Sequence, residues 1–345
     1  MAIGTRRSED LRLGIGLGYW QGSPRDETDT VVAAEALGYH SVWIGEAYGS
    51  DALTPLTWYA ARTSRIQLGT SILQIDARTP ANAAMAAMTL DALSGGRLHL
   101  GLGVSGPQIV EGWYGRPFPR PLARTREYVE VLRAIWAREA PVTHAGEFFP
   151  LPHPGGTGLG KPLKLITRPL RSDIPIYLGA QGPKNVQLAL DAADGWLPAF
   201  VHIEQFDAMY GGLLASTPDD FRIVATVNTY VDTDLRAAFR RAKEPLAWYV
   251  GGMGARGANF HFDAVSRAGF GDAAEKVQDL FLAGRRDEAV DAIPDELVDG
   301  TSLIGPPARI RERLELWRNS PVSEVVLMEL RDTAAMEAVA REVGL

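Results

Sequence analysis

Short apolar runs alternate along the chain with longer stretches whose apolar residues recur at helical spacing. Residues 11–18 (LRLGIGLG) form the first run and predict a strand. Ser23-Pro24 has the form of a helix start, and Val31, Val32, Ala34 and Leu37 carry that helix to Gly38. Residues 41–45 predict a second strand that finishes in Glu46, and Thr54-Pro55 opens a helix to about Arg62. Residues 67–76 (QLGTSILQID) predict a buried third strand. Its Gly-Thr-Ser centre is small and polar where large apolar residues would pack better, which suggests a bulge or the close approach of a ligand. Thr79-Pro80 starts a helix stopped by Ser94-Gly95-Gly96, and residues 97–103 are a fourth strand.

The second half repeats the pattern less regularly. A loop over 104–114 and a basic, proline-rich turn lead to a helix bearing Tyr128, Val129, Leu132, Ile135 and Trp136. Residues 142–170, rich in Gly, Pro and Lys, read as a hairpin laid across one mouth of the domain. Strands follow at 174–179, 195–199 and 222–231, with helices at 183–193 and from 231 to about 250. A helical insertion of mixed character spans 251–299. Gly305-Pro306-Pro307 then opens a helix, residues 324–329 give the last strand, and 333–343 the last helix. Eight strands, nearly all followed by helices, predict a (β/α)8 barrel, with a doubly wound sheet as the competitor. No linker or short-period repeat interrupts the 345 residues, so one domain is expected.

Composition narrows the partners. A formal net charge of −7 argues against nucleic acid or an anionic membrane surface. The absence of cysteine excludes disulfides, thiolate metal sites and a cysteine nucleophile. Glycines break the apolar stretch at 11–20, and no run reaches membrane-spanning length, so neither a signal peptide nor a membrane span is expected and cytoplasm is the default.

In such a barrel the site gathers where strands end. Those positions hold Tyr19 and Trp20, Glu46, Ser71 and Ile72, Ser105 and Gly106, Ala180 to Gly182, and Trp196. Gly101-Leu-Gly-Val-Ser-Gly106 matches a dinucleotide G-x-G-x-x-G pattern, but Pro107-Gln108 interrupts it and no clear helix begins there. Its glycines read better as room for a flat cofactor. Gly179-Ala-Gln-Gly-Pro-Lys-Asn185 is either a phosphate-binding strand-to-helix turn or an ordinary one. Glu46 is an acid with an apolar approach: an acceptor or acid/base group, or half of a salt bridge to an arginine. Asp51 is a second acid or a helix cap. The six histidines show no metal-binding spacing, so no metal is expected, and His202, just after the sixth strand, is the one placed for an active site.

Leu68-Gly-Thr-Ser-Ile-Leu73, Trp43-Ile-Gly-Glu-Ala-Tyr-Gly-Ser-Asp-Ala52, Gly103-Val-Ser-Gly-Pro-Gln108 and Gly179-Ala-Gln-Gly-Pro-Lys184 stand in an order that resembles the bacterial luciferase-like superfamily. More narrowly they are similar to its branch using the deazaflavin coenzyme F420. The resemblance implies a barrel with a non-prolyl cis peptide at Ser71–Ile72 backing the cofactor's central ring. It implies Glu46, Ser71, Ile72, Ser105 and Gly106 near the ring or ribityl chain, and Ala180, Gln181 and Gly182 near the phosphate. Lys184, with Lys161 and Lys164, is our own assignment for the anionic tail. Members that oxidise a sugar phosphate carry histidine after the second-strand acid, where Ala47 stands here, which argues against that activity. The activity implied is hydride transfer between the deazaflavin and a small organic substrate, reducing C=C, C=N or C=O or oxidising an alcohol, with Glu46 or water handling the proton. Tyr19, Trp20, Trp113, Trp196 and His202 are candidate substrate-pocket residues. An FMN-dependent monooxygenase and a non-catalytic cofactor-binding protein are the alternatives, and a homodimer is expected.

Overall fold

The computed structural model describes residues 11–20, 22–215, 217–254, 256, 257 and 259–345. Strand β1 (Arg12–Gly18) pairs in parallel with β2 (Ser41–Ile44), β2 with β3 (Gln67–Thr70), and β3 with β5 (Leu98–Gly103). The ring continues through β6 (Ile176–Gly179), β7 (Gly195–Leu197) and β8 (Arg222–Val231). Strand β10 (Glu324–Met328) pairs with both β8 and β1 and closes an eight-stranded parallel barrel. A short β4 (Leu73–Gln74) resumes the third strand after a break and pairs with β5. Strand β9 (Ser302–Gly305) lies outside the ring, on the far half of β8. It is missing from the sequence reading, which has only Gly305-Pro306-Pro307 opening the helix that follows.

The barrel interior is filled by Trp43, Tyr177, Leu197, Val224 and Val326, with Ile72 and Met328 above them. Trp43 fits because the neighbouring strand offers Gly69: a Cβ there would stand 2.1 Å from the indole. Below Trp43 the strand starts carry buried polar groups. The Ser41 hydroxyl donates to Glu324, and Trp43 Nε1 donates to the same carboxylate at 3.1 Å. His99 meets the Tyr177 hydroxyl at 3.1 Å and Gln67 Oε1 at 3.3 Å.

Burial, reinforced by Arg171, His40 and Arg12, holds the His99 imidazole down at about 3. The unfolded chain takes up that proton near pH 6.5, so the histidine's contribution to stability is complete above 6.5 and is lost as pH falls toward 3. Between pH 7 and 5 it amounts to roughly 2 kcal/mol. Urea unfolding of the parent and of His99→Gln at the two pH values measures it. The parent is expected to lose that much more than the variant, and equal losses would refute the assignment.

Several element boundaries differ from expectation. The first helix is Thr28–Ala36, not a helix from Ser23-Pro24: Asp26 accepts from the Thr28 amide at 3.0 Å, and Glu27 is drawn aside to Arg331 at 2.8 Å. A six-residue helix, Pro107–Gly112, does begin after Gly106. Residues 142–170 form isolated bridges (Val142 with Leu163, His144 with Leu151) and lie along the Pro121–Ala137 helix instead of crossing the mouth. The Glu127 carboxylate accepts from the amides of Glu147, Phe148 and Phe149, while Lys164 donates to the Glu139 carbonyl. Helices after Gly252 pack on the Leu235–Gly252 helix in a second apolar cluster built on Leu246, Val250, Val265, Val277 and Val298. Among the described residues no helix is long and apolar enough to cross a membrane.

Candidate functional site

The third strand ends at Thr70, and the Ser71–Ile72 peptide that follows is cis. The end of β2 holds this break through two bonds. The Ser71 amide donates to the Ile44 carbonyl at 2.8 Å, and the Glu46 amide to the Ile72 carbonyl at 3.1 Å. The Ile72 side chain lies between two glycines: a Cβ on Gly103 would come within 2.7 Å of Ile72 Cγ1, and one on Gly179 within 2.9 Å of Cγ2. Gly103, read from the sequence as room for a cofactor, is room for Ile72.

Glu46 takes the salt-bridge alternative. Arg78 grips both carboxylate oxygens, Nη1 to Oε2 at 2.8 Å and Nη2 to Oε1 at 2.6 Å, and the Gln74 amide donates to Oε2 at 2.9 Å. Both side chains are shielded, with 4% of Glu46 and 15% of Arg78 exposed. These bonds tie the loop after the second strand to the segment after the third. Gln74 donates from Nε2 to the Glu46 carbonyl at 3.2 Å, leaving its buried Oε1 without a protein partner. Asp51 takes the cap alternative, accepting from the Thr54 amide at 2.9 Å.

At the end of β6, Ala180 is buried and its carbonyl accepts from Trp196 Nε1 at 2.8 Å. Gly182 precedes the Pro183–Ala192 helix, whose first turn has no side-chain cap, and a Cβ on Gly182 would meet open space. The Gln181 carbonyl accepts from Arg267 at 3.0 Å, and its amide nitrogen meets His261 Nδ1 at 3.2 Å. Lys184 does not face this turn from within the barrel. It lines a shallow outer groove with Leu122, Arg126 and Asp191. Lys161 is exposed, and Lys164 is engaged with Glu139 as described.

Three strand ends carry non-glycine residues with left-handed backbone: Ser105 (φ 57°), Phe200 (φ 54°) and Glu329 (φ 65°). Such residues are uncommon and gather at functional sites. Gly106 follows Ser105 as the residue before the short helix. Tyr19 is half-buried, with Tyr249 near enough to act on its ionisation. The Trp20 amide donates to Ser50 Oγ at 3.1 Å. Trp113, 64% exposed, stands 6.4 Å from the Tyr48 ring.

Two pocket candidates lie elsewhere. Trp196 is fully buried against Phe206 and Tyr210, because Leu197 takes the inward position of that strand. His202 is carried outward by the chain after β7, stacked 5.3 Å from Phe270 and pressed on Gly300, with Nδ1 3.4 Å from Glu204. Burial pushes its pKa down. The residues that do face the others at the mouth, Tyr48, Gln74, Arg78, Phe200, Tyr249 and His261, are not among the sequence candidates. Among the described residues no cluster of His, Asp and Glu could hold a metal ion.

A Mycobacterium tuberculosis protein provisionally named a coenzyme F420-dependent oxidoreductase is 49% identical over 343 residues, covering 94% of this chain and 99% of its own. A 5,10-methylenetetrahydromethanopterin reductase of Archaeoglobus fulgidus is 31% identical, covering 86% and 87%. The solved structure of the F420-dependent tetrahydromethanopterin reductase of Methanopyrus kandleri superposes with a TM-score of 0.75 at 25% identity, covering 97% of this chain and 98% of that one. The model of the luciferase-like monooxygenase family matches residues 6–324, and the chain belongs to that family of enzymes.

Proposed function

We propose that this enzyme is an F420-dependent oxidoreductase that moves a hydride between the deazaflavin and a small organic substrate. The observation that carries the reading is the Ile72 seat. It sets an apolar side chain at the floor of the barrel mouth, level with the ends of β5 and β6, where a flat ring can rest. The relatives named for F420 chemistry support it.

The residues present fit the group. The uncapped, open turn at Gly182 suits a phosphate, since amides at a helix start favour an anion. The buried, unpartnered Oε1 atoms of Gln74 and Gln181 are acceptors for N–H or O–H groups. Ser105 and Gly106 stand between these two places. Bound there, the deazaflavin would supply the hydride. The protein's share is orientation: Arg78 and Glu46 fix the β2 loop against the third strand, and Ile72 backs the ring. We assign Glu46 to positioning, with the proton coming from a mouth hydroxyl or from water.

Titration with F420 and with FMN tests this directly. Tight F420 binding, with consumption of the reduced form on adding an enone, imine or ketone, is expected. Binding of FMN alone would turn the reading toward the monooxygenases, and F420 binding without turnover toward a carrier. We further propose that the chain acts in the cytoplasm as a homodimer. Exposed Trp58, Met85 and Leu93 on adjacent helices offer apolar surface for a second copy. Light scattering after gel filtration tests the dimer.

A further inference from the structure

At the mouth, aromatic side chains from separate segments gather in two groups, Trp113 with Tyr48 and Phe200 with Tyr249 and His261. Trp113 lies beside Tyr48, and Tyr48 stands close enough to Tyr19 to influence its ionisation. The Tyr249 hydroxyl likewise stands near enough to Tyr19 to act on its ionisation. The Tyr249 ring meets His261 at 4.7 Å and Phe200 at 4.8 Å, and those two rings meet each other at 5.1 Å. His261 reaches Gln181, so the second group ends at the phosphate-side turn.

None of these groups is charged near neutrality. Burial raises the Tyr19 and Tyr249 phenols and holds the His261 imidazole at about 4. Among the described residues, three arginines close to the mouth are already engaged. Arg78 holds Glu46, Arg331 holds Glu27, Glu329 and the Leu17 carbonyl, and Arg267 holds the Gln181 carbonyl. A carboxylate or phosphate entering here would shed its hydration against uncharged rings, a loss that a neutral molecule does not suffer. An apolar body instead gains from leaving water against these rings. Among the rim groups, the half-buried Tyr19 hydroxyl can donate to a carbonyl oxygen.

Building on the cofactor assignment above, we propose that the substrate is an uncharged, largely apolar carbonyl compound, its oxygen met by Tyr19, and that the aromatic rim rejects anionic analogues. Phe200 is the specificity-determining position, because it stands against both Tyr249 and His261 at a strand end.

Calorimetric titration of cyclohex-2-en-1-one and of 3-oxocyclohex-1-ene-1-carboxylate tests this on the full chain, with and without saturating oxidised F420. The neutral ketone is expected to bind at least tenfold more tightly. Tyr19→Phe is expected to weaken that ketone about fivefold, and Phe200→Lys to shift the ratio toward the carboxylate by tenfold or more. Equal binding of the two probes, no detectable binding of either, or an unchanged ratio in Phe200→Lys would overturn the proposal. F420 binding is read separately in the same titrations. A chain that ignores F420 yet keeps the neutral preference sinks the cofactor reading and supports the rim.

Discussion

Arg78→Met is expected to lower the free energy of unfolding by about 3–5 kcal/mol, because it strands the Glu46 carboxylate in a shielded site. An exposed ion pair broken in the same way would cost at most about 1 kcal/mol, so the size of the loss reports the burial. The charge-free double variant Glu46→Gln/Arg78→Met should recover much of it, since no lone ion is left behind. Chemical denaturation of the three proteins settles the matter: a double variant no more stable than Arg78→Met would refute the buried-pair account. F420 affinity should fall with Arg78→Met as well, because the same pair ties the β2 loop to the segment after the third strand.

Gly103→Ala is expected to weaken F420 binding at least tenfold while the barrel still folds. The added methyl would stand 2.7–2.8 Å from Ile72 Cγ1 and Cδ1, and nothing in the Gly103 backbone otherwise forbids it. Overpacking of this kind costs about 1–3 kcal/mol, which moves Ile72 without unfolding the domain. Gly103→Ala/Ile72→Val removes Cδ1 from the clash and should restore part of the affinity. Fluorescence titration with F420 is the measurement. Unaltered affinity in Gly103→Ala would show that the ring does not rest on this seat.

The barrel was readable because its strands are short, apolar and buried, and because proline and glycine punctuate the helices. The oddity of Gly69-Thr-Ser71 also pointed to the right place, since the third strand does break there. Pairings across space were not readable. Arg78 follows the third strand and Glu46 the second, and only the parallel register of those strands brings them together. Parity failed at Gly195-Trp-Leu197, where three residues are too few to tell the inward side chain from the outward one. His202 was chosen for its position after a strand, but the chain turns away at once, and His261 reaches the mouth from a helical insertion that carries no sequence signal of it.

The second apolar cluster has a consequence for how this enzyme could change. Tyr249 and His261 ride on helices anchored by Leu246, Val250 and Val265, whereas Ile72 and its glycines belong to the barrel itself. On the proposed function, selection of the hydride acceptor and docking of the hydride donor would therefore rest on two foundations. Grafting residues 249–270 from a relative with another appetite should re-tailor the chemistry accepted while leaving the cofactor berth intact.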